Sequence, residues 1–319
     1  MHWKMKAMIQ NAVCILPSSA SYGAYYWIQR HFGGLRRFHP VSRLVSGIDT
    51  WKRICAQGIS PTGKVFFEVG TGRVPLAPLA FWLLGAEKTI TIDLNPYLKQ
   101  ELLVDSLRYM SQNQEQIREL FGDLLDANRL AQLSAFSSDS HFDLTRFLDL
   151  CRIEYIAPGD ATATGLPENS IDVHTSYTVF EHIPLEVLQK ILEEGNRIVK
   201  DQGLFIHRID YSDHFSHSDR SISAINFLQY SDKKWDRYAG NRYMYMNRLR
   251  HDDFLQLYQS VGHRMLEVQP DIRPSLRELL KQGTLSLDDR FRCKSEEVLA
   301  TTAAWITSQK GSVPADFVP

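Results

Sequence analysis

A dense group of titratable side chains lies in residues 207–219, which read HRIDYSDHFSHSD. A histidine or carboxylate can take a proton from a hydroxyl or ammonium group, and Asp210 and His214 are the leading candidates for that base. The same residue types also suggest a metal site. We predict none, because the spacing is not a recognised ligand pattern and no second cluster completes it. A solvated polar loop that carries no chemistry remains an alternative.

A second stretch, residues 64–95, has the residue types that bind a nucleotide-like ligand. It reads KVFFEVGTGRVPLAPLAFWLLGAEKTITIDLN. Gly70 and Gly72 can adopt positive φ and lack a Cβ, so a ligand can lie against their backbone. The amides that open the next helix point at the same place, and Asp93 can accept hydrogen bonds from two hydroxyls. The order strand, turn, helix, strand, acid predicts a βαβ nucleotide-binding unit.

The elements that must position these residues alternate along the chain. Apolar, β-type runs occupy 153–156, 171–176 and 204–210, and a helical pattern runs from Pro184 to about 198, with Gly203 predicted as its C-cap. Such alternation predicts a parallel sheet with helices on both faces. Four polar residues end predicted strands, so we expect them to converge on one rim: Asp93, Asp160, Ser176 and Asp210.

The remaining segments suggest additions to one main domain at 61–319. Residues 1–60 hold helical patterns at 5–16, 22–32 and 45–56, which either pack on the main domain or form a lid over a substrate. Residues 97–150 are far longer than a crossover helix requires, which predicts an insertion of several helices. Residues 210–250 form the predicted substrate-side segment.

Composition sets limits on the class of protein. The chain has 319 residues, 44% of them hydrophobic and 23% charged, with a net charge of -1. No basic excess steers it to nucleic acid, and no run approaches the ~20 apolar residues of a membrane span. The four cysteines form no CxxC pair, which argues against a disulfide framework. We therefore expect a cytoplasmic globular protein of undetermined oligomeric state.

The order of motifs resembles class I S-adenosylmethionine-dependent methyltransferases. The resemblance covers about 65–210, and its FEHI and RIVKxxG elements are more specific than the glycines alone. The motifs are Glu68-x-Gly70-x-Gly72, Asp93, Gly159-Asp160-Ala161, LPxxSIDV at 166–173, FEHI at 180–183 and RIVKxxG at 197–203. The family implies a doubly wound α/β fold with a mostly parallel, seven-stranded Rossmann-like sheet whose last strand is antiparallel. The tail supplies the remaining elements as a helix at 252–261, a strand at 264–268 and a final strand within 298–308.

The resemblance also implies roles for individual residues around S-adenosylmethionine. Glu68 would lie near the methionine amino group, Gly70 and Gly72 would face the methionine and ribose, and Asp93 would bind the ribose hydroxyls. Asp160 and the Ala161 amide would contact the adenine. Thr175, Ser176 and Tyr177 would border the methyl group, and His182 is commonly structural or peripheral to the site.

One departure stands out. Many family members carry a third glycine where this chain has Val74, between Arg73 and Pro75. Pro75 suits a helix start, so the cofactor site is expected to persist with the amino-acid end held differently.

The implied function is methyl transfer to a small molecule or a glycan precursor by in-line displacement, in which the protein supplies alignment. Two alternatives stay open. An NAD(P)-dependent oxidoreductase also joins glycines to an acid, but it requires a third glycine where this chain has Pro75. A methyltransferase-like fold can also bind a ligand without catalysis. Arg248 and Arg250 are either solvated residues at a capped helix, with Asp252 as its N-cap, or a fork that grips an anionic acceptor.

Overall fold

Seven strands form one sheet in the computed structural model, which describes residues 1–137 and 141–311. The strand order is β3-β2-β1-β4-β5-β7-β6. Strands β1 to β5 pair in parallel, whereas β7 is antiparallel to both neighbours. The predicted sheet is therefore confirmed, including its antiparallel last strand. The strands are β1 Val65–Val69, β2 Lys88–Ile92, β3 Ile153–Ile156, β4 Ile171–Tyr177, β5 Val199–Asp210, β6 His263–Ile272 and β7 Thr301–Lys310.

Helices cover both faces of this sheet. The helices are α1 Trp3–Cys14, α2 Ser18–His31, α3 Val41–Ala56, α4 Leu76–Leu83, α5 Gln100–Gln112, α6 Gln114–Phe121, α7 Ala127–Ser137, α8 Leu144–Leu150, α9 Leu185–Ile198, α10 Asp232–Ala239, α11 His251–Ser260, α12 Pro274–Lys281, α13 Asp289–Arg292 and α14 Glu296–Ala300. Four of them, α5 to α8, lie between β2 and β3, which confirms the predicted helical insertion. No helix in the described ranges combines the length and apolar character that a membrane crossing requires.

The central strand β1 shows why both faces must be covered. Its successive residues Phe66 and Phe67 point to opposite faces, and each is fully buried. Phe66 packs with Trp51 of α3 and Phe81 of α4, and Phe67 belongs to the cluster that includes Leu192 of α9. A strand that is apolar on both sides is typical of a parallel sheet between two helical layers.

The N-terminal helices pack on the main domain at two places. Gly47 of α3 lies so close to α4 that a Cβ there would sit 2.6 Å from the Ala80 Cβ. Helix α1 is held through Trp3, which is 3% exposed, packs with Phe215 and Trp235, and donates its backbone N–H to Asp219 at 2.7 Å. Residues 1–60 are thus tied to the sheet and to the segment that follows β5.

Two predicted boundaries are wrong. Helix α9 ends at Ile198, and Gly203 lies within β5 instead of capping the helix. A Cβ at Gly203 would lie 2.8 Å from the Asp172 carbonyl oxygen, so glycine is needed there for close strand contact. Residues 298–300 are helical because Ser295 caps α14 by accepting from the Val298 amide at 3.2 Å, and β7 begins only at Thr301.

Candidate active site

A cavity of about 400 Å³ opens beyond the carboxyl ends of β1 and β4. Parallel sheets bind ligands at this edge, because loops diverge there. Its walls come from five parts of the chain: Tyr25 to Ser46 in the N-terminal helices, Glu68 to Ala77 around the glycine turn, Tyr97 after β2, Tyr177 to Val179 after β4, and Arg242 with Tyr243. The N-terminal helices therefore form part of the wall in addition to packing on the domain.

The glycine turn has the backbone that its sequence predicts. Gly70 and Gly72 have φ of +91° and +66°, a region that residues with a Cβ rarely adopt. A Cβ at Gly70 would lie 2.4 Å from Val179 Cγ2, so the turn passes directly against the loop after β4. At Gly72 a Cβ would meet no atom within 4 Å among the described residues, and this residue lines the cavity. The backbone of Gly72 is thus open to a ligand.

Asp93 is fastened to the glycine turn. Its Oδ2 accepts a hydrogen bond from the Gly72 amide at 2.9 Å, and its Oδ1 accepts one from the Asn95 amide at 3.3 Å. Burial raises the pKa of Asp93, and these backbone hydrogen bonds oppose that rise. Each carboxylate oxygen retains a second lone pair, so Asp93 can still accept from a pair of hydroxyls.

Glu68 places a buried carboxylate in the cavity wall. It is 5% exposed, and its Oε2 accepts from the Thr91 hydroxyl at 2.6 Å. Burial raises the pKa of Glu68 to about 7, although the Thr91 hydrogen bond and the positive charge of Arg43 lower it. A cationic group bound nearby would therefore favour the ionised form.

Asp160 and Ala161 lie next to Asp93 but outside the cavity wall. The loop that carries them is joined to β2, because the Gly159 amide donates to the Asp93 carbonyl oxygen at 2.9 Å. Asp160 is exposed, and its Oδ1 accepts from the Thr162 amide at 2.8 Å and the Thr162 hydroxyl at 2.7 Å. These hydrogen bonds lower the pKa of Asp160, while its Oδ2 stays available to a donor.

Ser176 and Tyr177 end β4 at the same edge. The Ser176 hydroxyl is buried and has no hydrogen-bond partner within residues 1–137 and 141–311. The Tyr177 side chain lines the cavity, and the Arg43 guanidinium lies 5.8 Å from its ring centroid. Tyr177 thus lines the cavity together with Gly70 and Gly72, whereas Ser176 does not.

Sequence reasoning missed three arginines in the cavity wall. Arg43, Arg73 and Arg242 line it, and none of them forms an ion pair with a described residue. Arg73 lies 4.9 Å from the Tyr26 ring centroid, and Arg242 donates to the Ser18 hydroxyl at 2.9 Å. Arg43 lies one turn before Ser46 on an amphipathic helix, and this position could have identified it. The predicted helix started at residue 45 and therefore left Arg43 out.

Asp210 and His214 are neighbours, and neither residue lines the cavity. Asp210 Oδ2 lies 3.4 Å from His214 Nε2 and 3.7 Å from His217 Nε2. Burial raises the pKa of Asp210, but the nearby His214 imidazole and hydrogen bonds from Ser212 outweigh it and lower the pKa to about 2. Asp210 is thus an anion at neutral pH, placed to stabilise a protonated imidazole.

Two residues of the FEHI element lie close to His214 and supply the second group of potential metal ligands that the sequence around His214 lacks. Glu181, His182 and His214 each have one ligand-type atom, and these atoms lie within 4.8 Å of one another. Asp210, His214 and His217 form a second such triad. The approach depends on the parallel pairing of β4 with β5, which no local spacing reveals.

The comparisons with known proteins agree with this geometry. A family model described as a methyltransferase domain matches residues 125–207, from α7 to β5. The match includes Asp160, Ser176 and Glu181, and the sheet has the seven strands and the antiparallel last strand that the family resemblance implies. This match spans 83 of the 319 residues, so similarity to a methyltransferase domain is shown for that segment. No curated protein matches the chain.

Solved structures similar to this chain share little sequence with it. A Bacillus halodurans protein assigned as a methyltransferase is 13% identical, with 83% of this chain and 99% of that chain covered and a TM-score of 0.43. An S-adenosylmethionine-dependent methyltransferase from Mesorhizobium loti is 10% identical, covering 82% and 100%, with a TM-score of 0.42. Haemonchus contortus phosphoethanolamine N-methyltransferase 2 in complex with S-adenosyl-L-methionine is 15% identical, covering 92% and 58%, with a TM-score of 0.45.

The strand order of the sheet also argues against the oxidoreductase alternative. Dinucleotide-binding sheets have the order 3-2-1-4-5-6, whereas here an antiparallel strand lies between β5 and β6.

Two members of the titratable group at residues 207–219 are structural. His207 is fully buried, its Nε2 is 2.9 Å from His174 Nδ1, and its Nδ1 is hydrogen-bonded to the Tyr258 hydroxyl. Burial lowers the pKa of His207 well below its usual value. Asp213 is buried and accepts from the Phe215 amide at 2.8 Å and from Asn226 at 3.0 Å. Both side chains stabilise the methyltransferase fold.

Both expectations for Arg248 and Arg250 are wrong. Arg250 is 0% exposed and donates to the carbonyl oxygens of Tyr211 at 2.6 Å and Thr301 at 2.6 Å, among others. Arg248 is 3% exposed and donates to the Tyr230 carbonyl at 2.6 Å. The two arginines are thus neither solvated nor part of the cavity. Asp252 is not an N-cap either, because α11 begins at His251.

Proposed function

We propose that this enzyme transfers a methyl group from S-adenosylmethionine to a small-molecule acceptor, with a glycan precursor within that class. One observation carries the proposal: a cavity at the carboxyl edge of a methyltransferase sheet is lined by Glu68, Gly70 and Gly72 and adjoins Asp93. Glu68 supplies an anion, the glycines supply an open backbone, and Asp93 supplies an acceptor for hydroxyl groups. These groups match, in order, the ammonium, the sulfonium-bearing chain and the ribose of S-adenosylmethionine.

The nucleoside end is assigned to the exposed part of the edge. Asp93 accepts from the two ribose hydroxyls, since each of its oxygens has one lone pair left after the bonds from Gly72 and Asn95. Asp160 accepts from the adenine amino group through its free Oδ2, and the Ala161 amide donates to the ring. Gly159 connects the two parts of this surface by its bond to the Asp93 carbonyl.

The amino-acid end is assigned to the buried part of the cavity. Glu68 receives the ammonium group, which compensates the burial of its carboxylate. Arg43 receives the carboxylate with its planar donor fork, because it lines the cavity and has no ion pair with a described residue. This pair replaces contacts near the missing third glycine, since Val74 is 8% exposed and packs in the core.

The acceptor enters from the side of the N-terminal helices. When bound, the cofactor supplies the electrophilic methyl group, and the protein aligns the acceptor with it. Tyr177 and the end of β4 border the methyl position, and Tyr25 and Tyr243 stack 3.9 Å apart on the opposite wall. Residues 1–60 act as the lid of this space, and the cavity of about 400 Å³ has room for a small acceptor only.

The proton of a hydroxyl or ammonium acceptor passes to the Asp210–His214 pair. His214 is the base, and the Asp210 carboxylate 3.4 Å away stabilises the imidazolium that forms. Ser212 holds Asp210 in place through a 2.8 Å hydrogen bond from its amide.

The test is a turnover assay with hydroxyl, amine and carboxylate acceptors, in which formation of S-adenosylhomocysteine and of the methylated product is followed by mass spectrometry. The expected result is stoichiometric formation of both with at least one acceptor, and a large loss of turnover in His214→Asn. Hydride transfer from a reduced nicotinamide, with no methyl transfer, would overturn the proposal. Arg248→Lys serves as the control, because Arg248 lies outside the cavity.

A further inference from the structure

Glu181 is a buried carboxylate that lacks a partner. It is 2% exposed, and neither of its side-chain oxygens has a hydrogen-bond partner among residues 1–137 and 141–311. A carboxylate removed from water without a hydrogen bond or a counter-charge costs several kcal/mol, so such a group normally binds a proton or a cation. The surroundings of Glu181 indicate which of these it binds.

Two imidazoles face this carboxylate. Ligand-type atoms of Glu181, His182 and His214 lie within 4.8 Å of one another. The Nδ1 of His182 lies 2.7 Å from the Tyr245 carbonyl oxygen, to which it donates as N–H. The neutral ring therefore keeps a lone pair on Nε2, and a backbone carbonyl that fixes the tautomer in this way is typical of metal-binding histidines.

The third side chain is also free to bind. His214 Nε2 is buried and has no hydrogen bond of good geometry with any described residue, although Asp210 Oδ2 is 3.4 Å away. Asp210 is thus within reach as a fourth ligand or as an outer partner. Each of the three side chains presents an unsatisfied atom to the same small space.

We propose that Glu181, His182 and His214 bind one divalent transition-metal cation beside the methyl-transfer cavity. Two imidazoles with one carboxylate favour Mn²⁺, Fe²⁺, Co²⁺ or Zn²⁺ over Mg²⁺ and Ca²⁺, which prefer oxygen ligands alone. Three protein ligands leave a coordination position open, as in metal sites that bind a substrate atom. Burial raises the pKa of Glu181 well above its ordinary value, and a cation in place of the proton removes that cost.

The competing triad is a weaker site. His217 has a side chain that is 54% exposed, and its Nε2 lies 2.9 Å from the Ser212 hydroxyl. The Ser212 amide binds Oδ1 of Asp210 and leaves Oδ2, which faces the histidines, free. The Nε2 of His217 already has a partner that a cation would displace, whereas neither Glu181 oxygen has one among the described residues.

The cation site stands apart from cofactor binding, since none of its three ligands lines the cavity. It does compete with the proton-transfer role of His214, because a nitrogen that holds a cation cannot take a proton. Turnover of the chelator-treated enzyme with and without the metal shows which role operates, and metal binding itself is measured without turnover.

The experiment titrates chelator-treated full-length protein with MnCl₂ and with CoCl₂, using calorimetry for Mn²⁺ and visible absorption for Co²⁺. One ion per chain is expected, with Co²⁺ bands typical of a nitrogen and oxygen site. Glu181→Gln and His182→Asn are each expected to weaken Mn²⁺ binding by about 100-fold or more. His182→Asn keeps an N–H that can donate to the Tyr245 carbonyl, so we expect this variant to fold. It therefore tests metal binding even if the variant of the buried Glu181 does not fold.

The matched control is His217→Asn, which removes an imidazole from the other triad and is expected to leave Mn²⁺ affinity unchanged within error. The proposal is overturned if the wild-type protein binds neither Mn²⁺ nor Co²⁺. It is also overturned if His217→Asn abolishes binding while Glu181→Gln and His182→Asn retain it. Affinity for S-adenosylhomocysteine, measured on the same variants, separates loss of the cation from loss of the cofactor site.

Discussion

Lowering the pH is expected to weaken binding of S-adenosylmethionine through a single carboxylate, Glu68. Burial raises the pKa of Glu68 to about 7, so the free protein carries a proton there over much of the weakly acidic range. The ammonium group of the cofactor favours the ionised form, and binding therefore releases that proton. Protonated Glu68 cannot pair with the ammonium, so affinity must fall as the pH falls.

The size of the effect follows from the pKa. If bound Glu68 is fully ionised, affinity is reduced by the factor 1 + 10^(pKa − pH), which is about 2 at pH 7 and about 100 at pH 5. Binding should therefore be about 50-fold weaker at about pH 5 than at about pH 7. Burial also raises the pKa of Asp93, which acts in the same direction. The Glu68→Gln variant separates the two contributions.

Isothermal titration calorimetry across this range, in buffers of different ionisation enthalpy, measures both affinity and proton release. At about pH 6 the wild-type protein should release close to one proton per bound cofactor. Glu68→Gln should bind more weakly at neutral pH, with a much flatter profile and little proton release. Glu87→Gln, which changes an exposed glutamate, is the control and should match the wild type. A flat wild-type profile, or a Glu68→Gln profile as steep as the wild type, refutes the assignment.

Two further substitutions test the packing around the site. Gly70→Ala should lower the free energy of unfolding by about 2–5 kcal/mol, of which about 1–2 kcal/mol comes from the positive φ and about 1–3 kcal/mol from the clash with Val179. Gly262 has a φ of +83° and open space around it, so Gly262→Ala should lose only the contribution of the positive φ. Equal losses in urea denaturation would contradict the clash, and Val179→Ala should partly rescue Gly70→Ala. Trp3→Ala should lower the free energy of unfolding by about 3–5 kcal/mol, because Trp3 is 3% exposed. Trp27 is 54% exposed, so Trp27→Ala should lower it by about 0.5 kcal/mol or less. A similar loss for both variants would show that α1 is not packed as described.

The fold was largely predictable because its strands are short, apolar runs between clear breaks. Residues 153–156 were predicted as a strand and form β3 with the same bounds. The errors lie at helix ends, where caps and tertiary contacts compete. Gly203 looked like a cap but lies in β5 under the Asp172 carbonyl, and Ser295 extends a helix into residues predicted as strand.

The candidate site was predictable where one motif holds all the parts. The glycine turn and Asp93 belong to one βαβ unit, and the structure joins them through the Gly72 amide. Contacts between distant segments were not predictable. Glu181 meets His214 only because β4 pairs with β5, and Arg250 satisfies carbonyl groups from two remote segments.

Binding of S-adenosylmethionine to Asp93→Ala, compared with the wild type by calorimetry, tests the central claim most directly. We predict one cofactor per wild-type chain and an affinity reduced by about 100-fold or more in the variant, since two hydrogen bonds to a charged group are lost. Asp289→Ala, at an aspartate whose side chain is 86% exposed, should bind like the wild type. A wild-type protein that does not bind the cofactor, or an Asp93→Ala variant that binds it equally well, would contradict the account.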